Sequence, residues 1–250
     1  MKKALKGLIA LAFWIIVWYI GAAALGKPLL LPYPHSVVLR LIELIPTAGF
    51  LSAVGGSLLR VISGLAGGII IGAAAALLTH RFKTADLLLS PFLSVIQATP
   101  VASFIILLLL WMGRDILPAV ISALIVIPVV WRNVSEGLGQ TDKNILEMAL
   151  IYHIRGYKKF RFITVPYVLP YLKAAVRSAV GMGWKAGVAA EVLAVSANSI
   201  GRNIYESKLY LETTDLFAWT VLVIVLSVII EKLVSAIFKG KGAKNDAQDK

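Results

Sequence analysis

The sequence predicts an all-α, polytopic membrane protein of six membrane-spanning helices, on three observations. Hydrophobic residues make up 59% of the 250-residue chain, its mean hydropathy is +0.84, and only 15% of its residues are charged. A soluble domain of this length would carry far more charge. The apolar residues also gather into six runs that approach or reach the roughly 17–25 residues a spanning helix needs. The predicted spans are 8–25, 58–78, 91–112, 117–134, 174–195 and 216–238.

The third observation is the distribution of basic residues, which sets the predicted orientation. With the N-terminus inside, 17 Lys and Arg residues fall in the inner loops, the termini and the inner portions of the spans, and five fall in the outer loops. This excess follows the positive-inside rule for six spans with both termini cytoplasmic. The net charge of +12 is therefore a topology signal. Because the basic residues form no patch with stacking aromatics, it does not indicate a nucleic-acid partner.

The first run has two readings. Lysines within residues 2–6 precede an apolar core, and the alanines at 22–24 could serve as a signal-peptide cleavage site. The run is longer than the roughly 7–15 residues of a signal core. Trp14 and Trp18 are typical of the interfacial anchors of a retained helix. We expect a retained span.

The second span carries Gly64, Gly68 and Gly72 at intervals of four, a spacing that favours close packing of helix backbones in lipid. Arg60, near its outer end, is expected to snorkel or to pair with a carboxylate rather than to bind a solute.

Prolines interrupt the third and fourth runs. Pro100 frees a backbone carbonyl, which is tolerable where a helix lines a cavity or packs on neighbours. Trp111, at the outer end of the third run, is either an interfacial anchor or a gate at the outer mouth. Pro118 and Pro128 predict a kink in the fourth run.

A polar, basic loop, residues 135–173, follows the fourth run and contains a predicted amphipathic helix. The Asp142 carboxylate can accept from the free N–H groups of its first turn. Gly156 lies just past the last periodic residue, where a helix would stop. Pro166 and Pro170 set the start of the fifth run. The apolar face has spacings of three and four and comprises Ile145, Met148, Ala149, Ile151 and Tyr152.

The fifth run holds two charged residues, Lys185 and Glu191, each of which is costly in a membrane unless paired or hydrated. Their spacing of six places them about 240° apart around a helix, so they cannot simply pair with one another. Two readings stay open: they line or gate a path, or Glu191 pairs with a cation of another span and fixes the bundle.

The loop between the fourth and fifth runs resembles the cytoplasmic loop of the permease subunits of binding-protein-dependent ABC importers. The family pattern is Glu-Ala-Ala, three residues, Gly, nine residues, Ile, one residue, Leu-Pro. Met148, His153 and Val165 depart from it, and we expect Gly156 to make the turn of the missing glycine. The matching positions are Glu147, Ala149, Ile163 and Pro166. Other segments are similar to permeases of nitrate, sulfonate and taurine importers, namely Leu31–Pro34, Ser57–Gly64, Leu110–Gly113 and Trp184–Gly201.

The resemblance implies the fold and site residues of a type I ABC importer permease, with a coupling helix between spans four and five. Glu147 would contact the ATPase, and Ala149 would allow close approach. His153 would either sit at that contact, where its protonation could tune coupling, or be a solvated loop side chain. The coupling set is Glu147, Met148, Ala149, His153, Gly156, Ile163 and Pro166. The set beside the translocation path is Pro100, Trp111, Trp184, Lys185 and Glu191.

The resemblance also implies the partners. They are ABC ATPase subunits, an extracytoplasmic solute-binding protein and a second permease copy, assembled in lipid in the bacterial cytoplasmic (inner) membrane. ATP and Mg²⁺ would bind the ATPase rather than this chain, which has no GxxxxGK[ST] loop. The solute would be small: a sulfonate, taurine or nitrate, or a thiamine-precursor-like heterocycle.

Other chemistries have little support in the sequence. The chain has no cysteine, no HExxH, no nucleophile elbow and three scattered histidines, so neither a metal site nor an enzyme is expected. The alternatives are an ion-gradient-driven secondary transporter and an intramembrane enzyme or scaffold. A secondary transporter would need an inverted repeat, and the sequence shows no convincing one. We expect one transmembrane domain, 1–238, and a disordered tail, 239–250.

Overall fold

The computed structural model describes residues 2–239, without the side chains of 2–4, 143 and 239, and all regular secondary structure in that range is helical. The predicted tail lies outside the described residues from 240 onward. The helices are α1 (Lys2–Leu25), α2 (Pro34–Leu44), α3 (Ala48–Arg81), α4 (Lys83–Ala98), α5 (Val101–Leu109), α6 (Leu117–Gly139), α7 (Lys143–Ile151), α8 (Gly156–Lys159), a π-helical turn (Phe160–Thr164), α9 (Val165–Ala194), α10 (Ile200–Leu209) and α11 (Thr213–Lys239).

Among the described residues, four helices are by themselves long and apolar enough to cross a membrane: α1, α3, α6 and α11. The pair α4–α5 meets the same criterion when taken together. The predicted fifth span, 174–195, coincides with the C-terminal part of α9, whose 30 residues extend about 45 Å, and ends one residue beyond it. Charged residues interrupt the apolar character of α9, and it is not among the four.

The structure corrects the prediction of one continuous helix over 91–112. The chain bends by 103° between α4 and α5. Thr99 is extended, with ψ of 131°, because the ring of Pro100 excludes the helical conformation from the preceding residue. Pro100 has no N–H to continue the α4 ladder and instead stands at the start of α5.

The core is built by α3, α6 and α9. The predicted close packing of α3 is confirmed, because its glycines lie directly on the backbone of α6. A Cβ at Gly68 would lie 2.9 Å from the Ala123 carbonyl oxygen, and one at Gly72 would lie 2.6 Å from that of Ile127. The Ser122 hydroxyl then donates to the Gly183 carbonyl at 3.0 Å, which joins α6 to α9.

The outer elements are tied together by polar contacts. Arg40 of α2 donates to both carboxylate oxygens of Asp215 in α11, at 2.7 and 2.9 Å. The hydrogen bonds that the Arg40 guanidinium donates to this carboxylate raise the pKa of the guanidinium. The Trp18 indole of α1 donates to the Pro32 carbonyl at 3.1 Å, so the turn before α2 is held against α1.

Candidate functional site

The segment predicted to couple to a partner, residues 142–166, begins with a capped helix. The Asp142 carboxylate accepts from the Asn144 backbone N–H at 2.9 Å. This confirms the predicted N-cap of α7, which satisfies one of the N–H groups that a helix start leaves without a partner.

The end of α7 corrects the expectation for Gly156. His153 takes the left-handed conformation itself, with φ of 54°. The Ile154 N–H donates to Ala149 and the His153 N–H to Leu150, at 2.8 and 3.1 Å. This is the Schellman arrangement, whose left-handed position is usually glycine. His153 therefore makes the turn of the motif glycine, and Gly156, with φ of 58°, makes a second turn ahead of α8.

The distribution of buried and exposed side chains on α7 differs from the predicted apolar face. Ala149 is 1% exposed, so it faces its own chain and is not on the exposed face, which corrects the expectation that it allows close approach of a partner. Glu147 and Met148 are exposed. Ile151 and Tyr152 belong to the predicted apolar face, and they are 75% and 73% exposed.

The segment therefore carries an apolar surface outside the membrane-spanning helices. Large apolar side chains exposed next to one another on a polar loop are typical of a surface that a partner covers. We call this surface the α7 ridge, and it comprises Met148, Leu150, Ile151, Tyr152 and Tyr157.

A π-helical turn links the α7 ridge to α9. The Val165 N–H donates to the Phe160 carbonyl five residues back, in a wide turn. Pro166 follows in the first turn of α9 and lacks an N–H, which accounts for the interrupted hydrogen-bond ladder. Ile163 is 7% exposed and anchors the turn, whereas Pro166 is exposed.

The residues predicted beside a path do not form one cluster. Trp184 is fully buried, and its indole donates to the Val223 carbonyl of α11 at 3.2 Å. Glu191 is also fully buried, near the C-terminal end of α9. Pro100, Trp111 and Lys185 are exposed: the first two flank α5, and Lys185 is on α9.

Glu191 is held by polar groups from two other elements. Its Oε2 accepts from the Ser57 hydroxyl of α3 at 2.6 Å and from the Gly201 N–H of α10 at 3.3 Å. Arg60, one turn from Ser57, lies 3.7 Å from Oε1, which has no hydrogen-bond partner among the described residues. The arrangement confirms the alternative that Glu191 pairs with a cation of another span.

Arg60 connects this cluster to the loop between α9 and α10. Its guanidinium donates to the Ala197 and Asn198 carbonyls at 2.6 and 3.3 Å. The loop is conformationally unusual, because Val195 and Asn198 have φ of 51° and 45°. A β-branched residue in that region is strained, so the loop is held in place by its surroundings.

Sequence reasoning found Glu191 and Arg60 separately and missed Ser57 as their common partner. The available signal was the spacing of Ser57 and Arg60, three apart on one face of α3. The glycine requirement at position 201 was also missed. A Cβ there would overlap Glu191, so only glycine lets α10 lie against α9.

A helical membrane chain with an exposed ridge between two core helices has the architecture of a transport permease. A family model described as "binding-protein-dependent transport system inner membrane component" matches residues 68–240, well over half of the chain. The chain belongs to this family, whose members are inner-membrane transport components rather than enzymes.

Individual relatives match between 72% and 92% of the chain. One from Bacillus subtilis (strain 168), named as an aliphatic sulfonates transport permease, is 25% identical over 92% of this chain and 84% of its own length. The taurine transport system permease protein of Escherichia coli (strain K12) is 22% identical over 88% and 82%. The formylaminopyrimidine transport permease of Halalkalibacterium halodurans is 27% identical over 72% and 73%.

A solved structure shares the fold. It is a crystal structure of an amino acid ABC transporter, and it superposes with a TM-score of 0.64 over 80% of this chain and 96% of that chain. Its sequence is 16% identical, so the likeness concerns the fold alone.

Proposed function

We propose that this chain is the transmembrane permease subunit of an ABC importer and forms the path for ATP-driven uptake of a small solute. It would span the bacterial cytoplasmic membrane six times, with α4–α5 and α9 as two of the spans and both termini cytoplasmic. The relatives are named for sulfonate, taurine and formylaminopyrimidine transport, so a small sulfonate-like solute or a thiamine-precursor-like heterocycle is the proposed cargo.

The observation that carries the proposal is the α7 ridge. Ile151 and Tyr152 are exposed on a loop that the basic residues assign to the cytoplasm, where no lipid covers them. An ATPase subunit would cover the ridge, with Glu147 and Met148 at the rim of the contact. His153 and Gly156 would shape the turn below it.

The connections of α7 explain how docking could move the spans. Its N-terminal end joins α6 through three residues, and its C-terminal end joins α9 through α8 and the π-helical turn. Because α6 and α9 pack along each other, a push on α7 acts on two core helices at once. Ile163 and Pro166 would transmit that push into α9.

The path would lie beside α9. Lys185 would face it, with Pro100 and Trp111 on the neighbouring α4–α5 segment. Trp184 and Glu191 would act indirectly, since both side chains are buried and fix the position of α9 against α11, α3 and α10. A second copy of the chain would complete the path, and an extracytoplasmic binding protein would deliver the solute. ATP and Mg²⁺ would bind the ATPase.

The test is whether the α7 ridge holds an ATPase. The tagged protein is purified from its native membrane in mild detergent, and the Mg-ATP hydrolysis that accompanies it is measured. Leu150→Asp should reduce the accompanying activity about tenfold, because it puts a charge in an apolar contact. Leu209→Asp is a matched control, since Leu150 and Leu209 are both 61% exposed and lie on opposite sides of the proposed membrane.

Two results would overturn the proposal. One is a wild-type protein that carries no ATPase in a detergent that preserves other transporters. The other is a Leu150→Asp variant that elutes normally in gel filtration and retains the full ATPase activity.

A further inference from the structure

One exposed face of α9 combines small residues with a charged one. It carries Ala174, Ser178 and Ala189 together with Lys185, and the larger side chains of Met182 and Leu193 lie beside them, 43% and 47% exposed. The exposed face of α11, in contrast, carries large apolar side chains such as Ile224, which is 58% exposed. A helix face that combines small residues with a lysine inside the membrane is more compatible with contact with water than with contact with lipid hydrocarbon.

A carboxylate reaches the edge of this face from α11. Glu231 is exposed, and its Oε1 accepts from the Ser227 hydroxyl at 3.2 Å. The same oxygen lies against the backbone of Gly181 in α9, where a Cβ would overlap it. The absence of a side chain at position 181 is therefore what admits the Glu231 carboxylate to α9.

Two cations flank that point on α9. Arg177 and Lys185 each lie four residues from Gly181, which places them within about 40° of it around the helix and about 6 Å below and above it. Both side chains are exposed. Along the α9 axis, the Glu231 carboxylate thus lies between the positions of Arg177 and Lys185. The three side chains together carry a net charge of +1.

The depth of these groups makes the arrangement costly unless it is hydrated. In the predicted span 174–195, Lys185 is central, and Gly181 is about 10 Å from the inner end. Charged groups at such depths are normally turned toward a water-filled cavity or toward one another. In a transport protein, such a cavity is the solute path.

We propose that Arg177, Lys185 and Glu231 form a solute-contact site in this path for a small molecule with an acidic head group, such as a sulfonate or a carboxylate. The inference rests on the proposed function and extends it to the class of solute. The Arg177 guanidinium can donate two parallel hydrogen bonds to such a head group, and Lys185 can neutralise it. Glu231 offsets one of the two positive charges when no solute is bound.

The natural absence of cysteine makes the test direct. Ala189→Cys places a thiol one turn from Lys185 on the proposed site. The membranes are permeabilised so that the reagents reach both sides. The modification rate of this thiol is then measured with an anionic sulfonatoethyl thiosulfonate reagent and with a cationic trimethylammonioethyl thiosulfonate reagent. Each rate is divided by the rate of the same reagent with a free thiol in solution.

We expect the anionic reagent to be favoured about tenfold, because one sign of charge raises the local concentration of the other. Lys185→Met, or Lys185→Gln if the first variant does not fold, should remove most of this preference. Glu231→Gln should increase it. Ile224→Cys is the matched control and should react with neither reagent, because its side chain faces lipid.

The inference is overturned if the Ala189→Cys thiol reacts with neither reagent, or if its charge preference is unchanged by replacing Lys185. The ATPase that co-purifies from the same membranes is assayed in parallel. Its absence would overturn the proposed function separately, whatever the labelling shows.

Discussion

The hydroxyl of Ser57 lies 2.6 Å from Oε2 of Glu191, across 134 residues of chain, and joins α3 to the C-terminal end of α9. The same hydroxyl oxygen accepts from the Ile200 N–H at 2.9 Å and so holds the start of α10. One small side chain therefore connects three helices. Because Glu191 is fully buried, the strength of this connection depends on its hydrogen bonds rather than on contact with water.

Ser57→Ala is expected to lower the free energy of unfolding by about 2–3 kcal/mol, since it removes a donor to a buried carboxylate and leaves the Ile200 N–H without its acceptor. The measurement is equilibrium unfolding of the purified protein in detergent. Ser52→Ala is the control and should change stability by less than about 0.5 kcal/mol, because Ser52 is exposed and bonds only to its own helix. Equal effects of the two substitutions would contradict the role of Ser57.

Gly201→Ala is expected to destabilise the protein by about 1–3 kcal/mol, because the added Cβ would overlap Glu191 and lie 2.5 Å from the Val192 backbone nitrogen. Gly67→Ala is the opposite case, since a Cβ there meets no atom within 4 Å inside helix α3. It should stabilise by up to about 1 kcal/mol through lower backbone entropy in the unfolded chain. Thermal unfolding of both variants in one detergent compares them, and a Gly201→Ala variant as stable as wild type would contradict the close packing.

Much of the fold could be predicted from the sequence because apolar runs, caps and glycine stripes are local signals. The Asp142 cap and the packing of Gly68 and Gly72 are confirmed by the structure. The size of the bend at Thr99–Pro100 was missed, because the apolar sequence resumes directly after it at Val101. A proline shows that a helix is disturbed, but the angle of 103° depends on what each half packs against.

The candidate sites were harder to predict, because their geometry is not local. Periodicity places Tyr152 about 60° from Ala149 around the helix and Ile151 about 160° from it, but it could not show which side is buried. An apolar face that a partner covers has the same pattern as one that faces the core. The pairing of Glu191 with Ser57 depends on two helices brought together by the rest of the fold.

His153→Gly is expected to stabilise the end of α7, because glycine adopts the observed φ of 54° without the strain that a Cβ introduces there. A gain of about 0.5–1 kcal/mol should slow hydrogen exchange of the α7 amides about two- to fivefold. His153→Ala is the matched control: it also removes the imidazole but keeps the Cβ, so it should give no such slowing. Slower exchange in both variants would assign the effect to the imidazole instead.

Glu147→Arg is expected to leave membrane insertion intact and to abolish partner-stimulated transport, because Glu147 is exposed on the proposed docking surface and supports no other part of the fold in the residues described. Insertion is checked by membrane fractionation and transport by ATP-dependent uptake into cells. Glu212→Arg makes the same charge reversal at an exposed residue on the outer side and should retain the co-purifying ATPase. Normal ATP-dependent uptake in the Glu147→Arg variant would show that the ATPase engages another part of the chain.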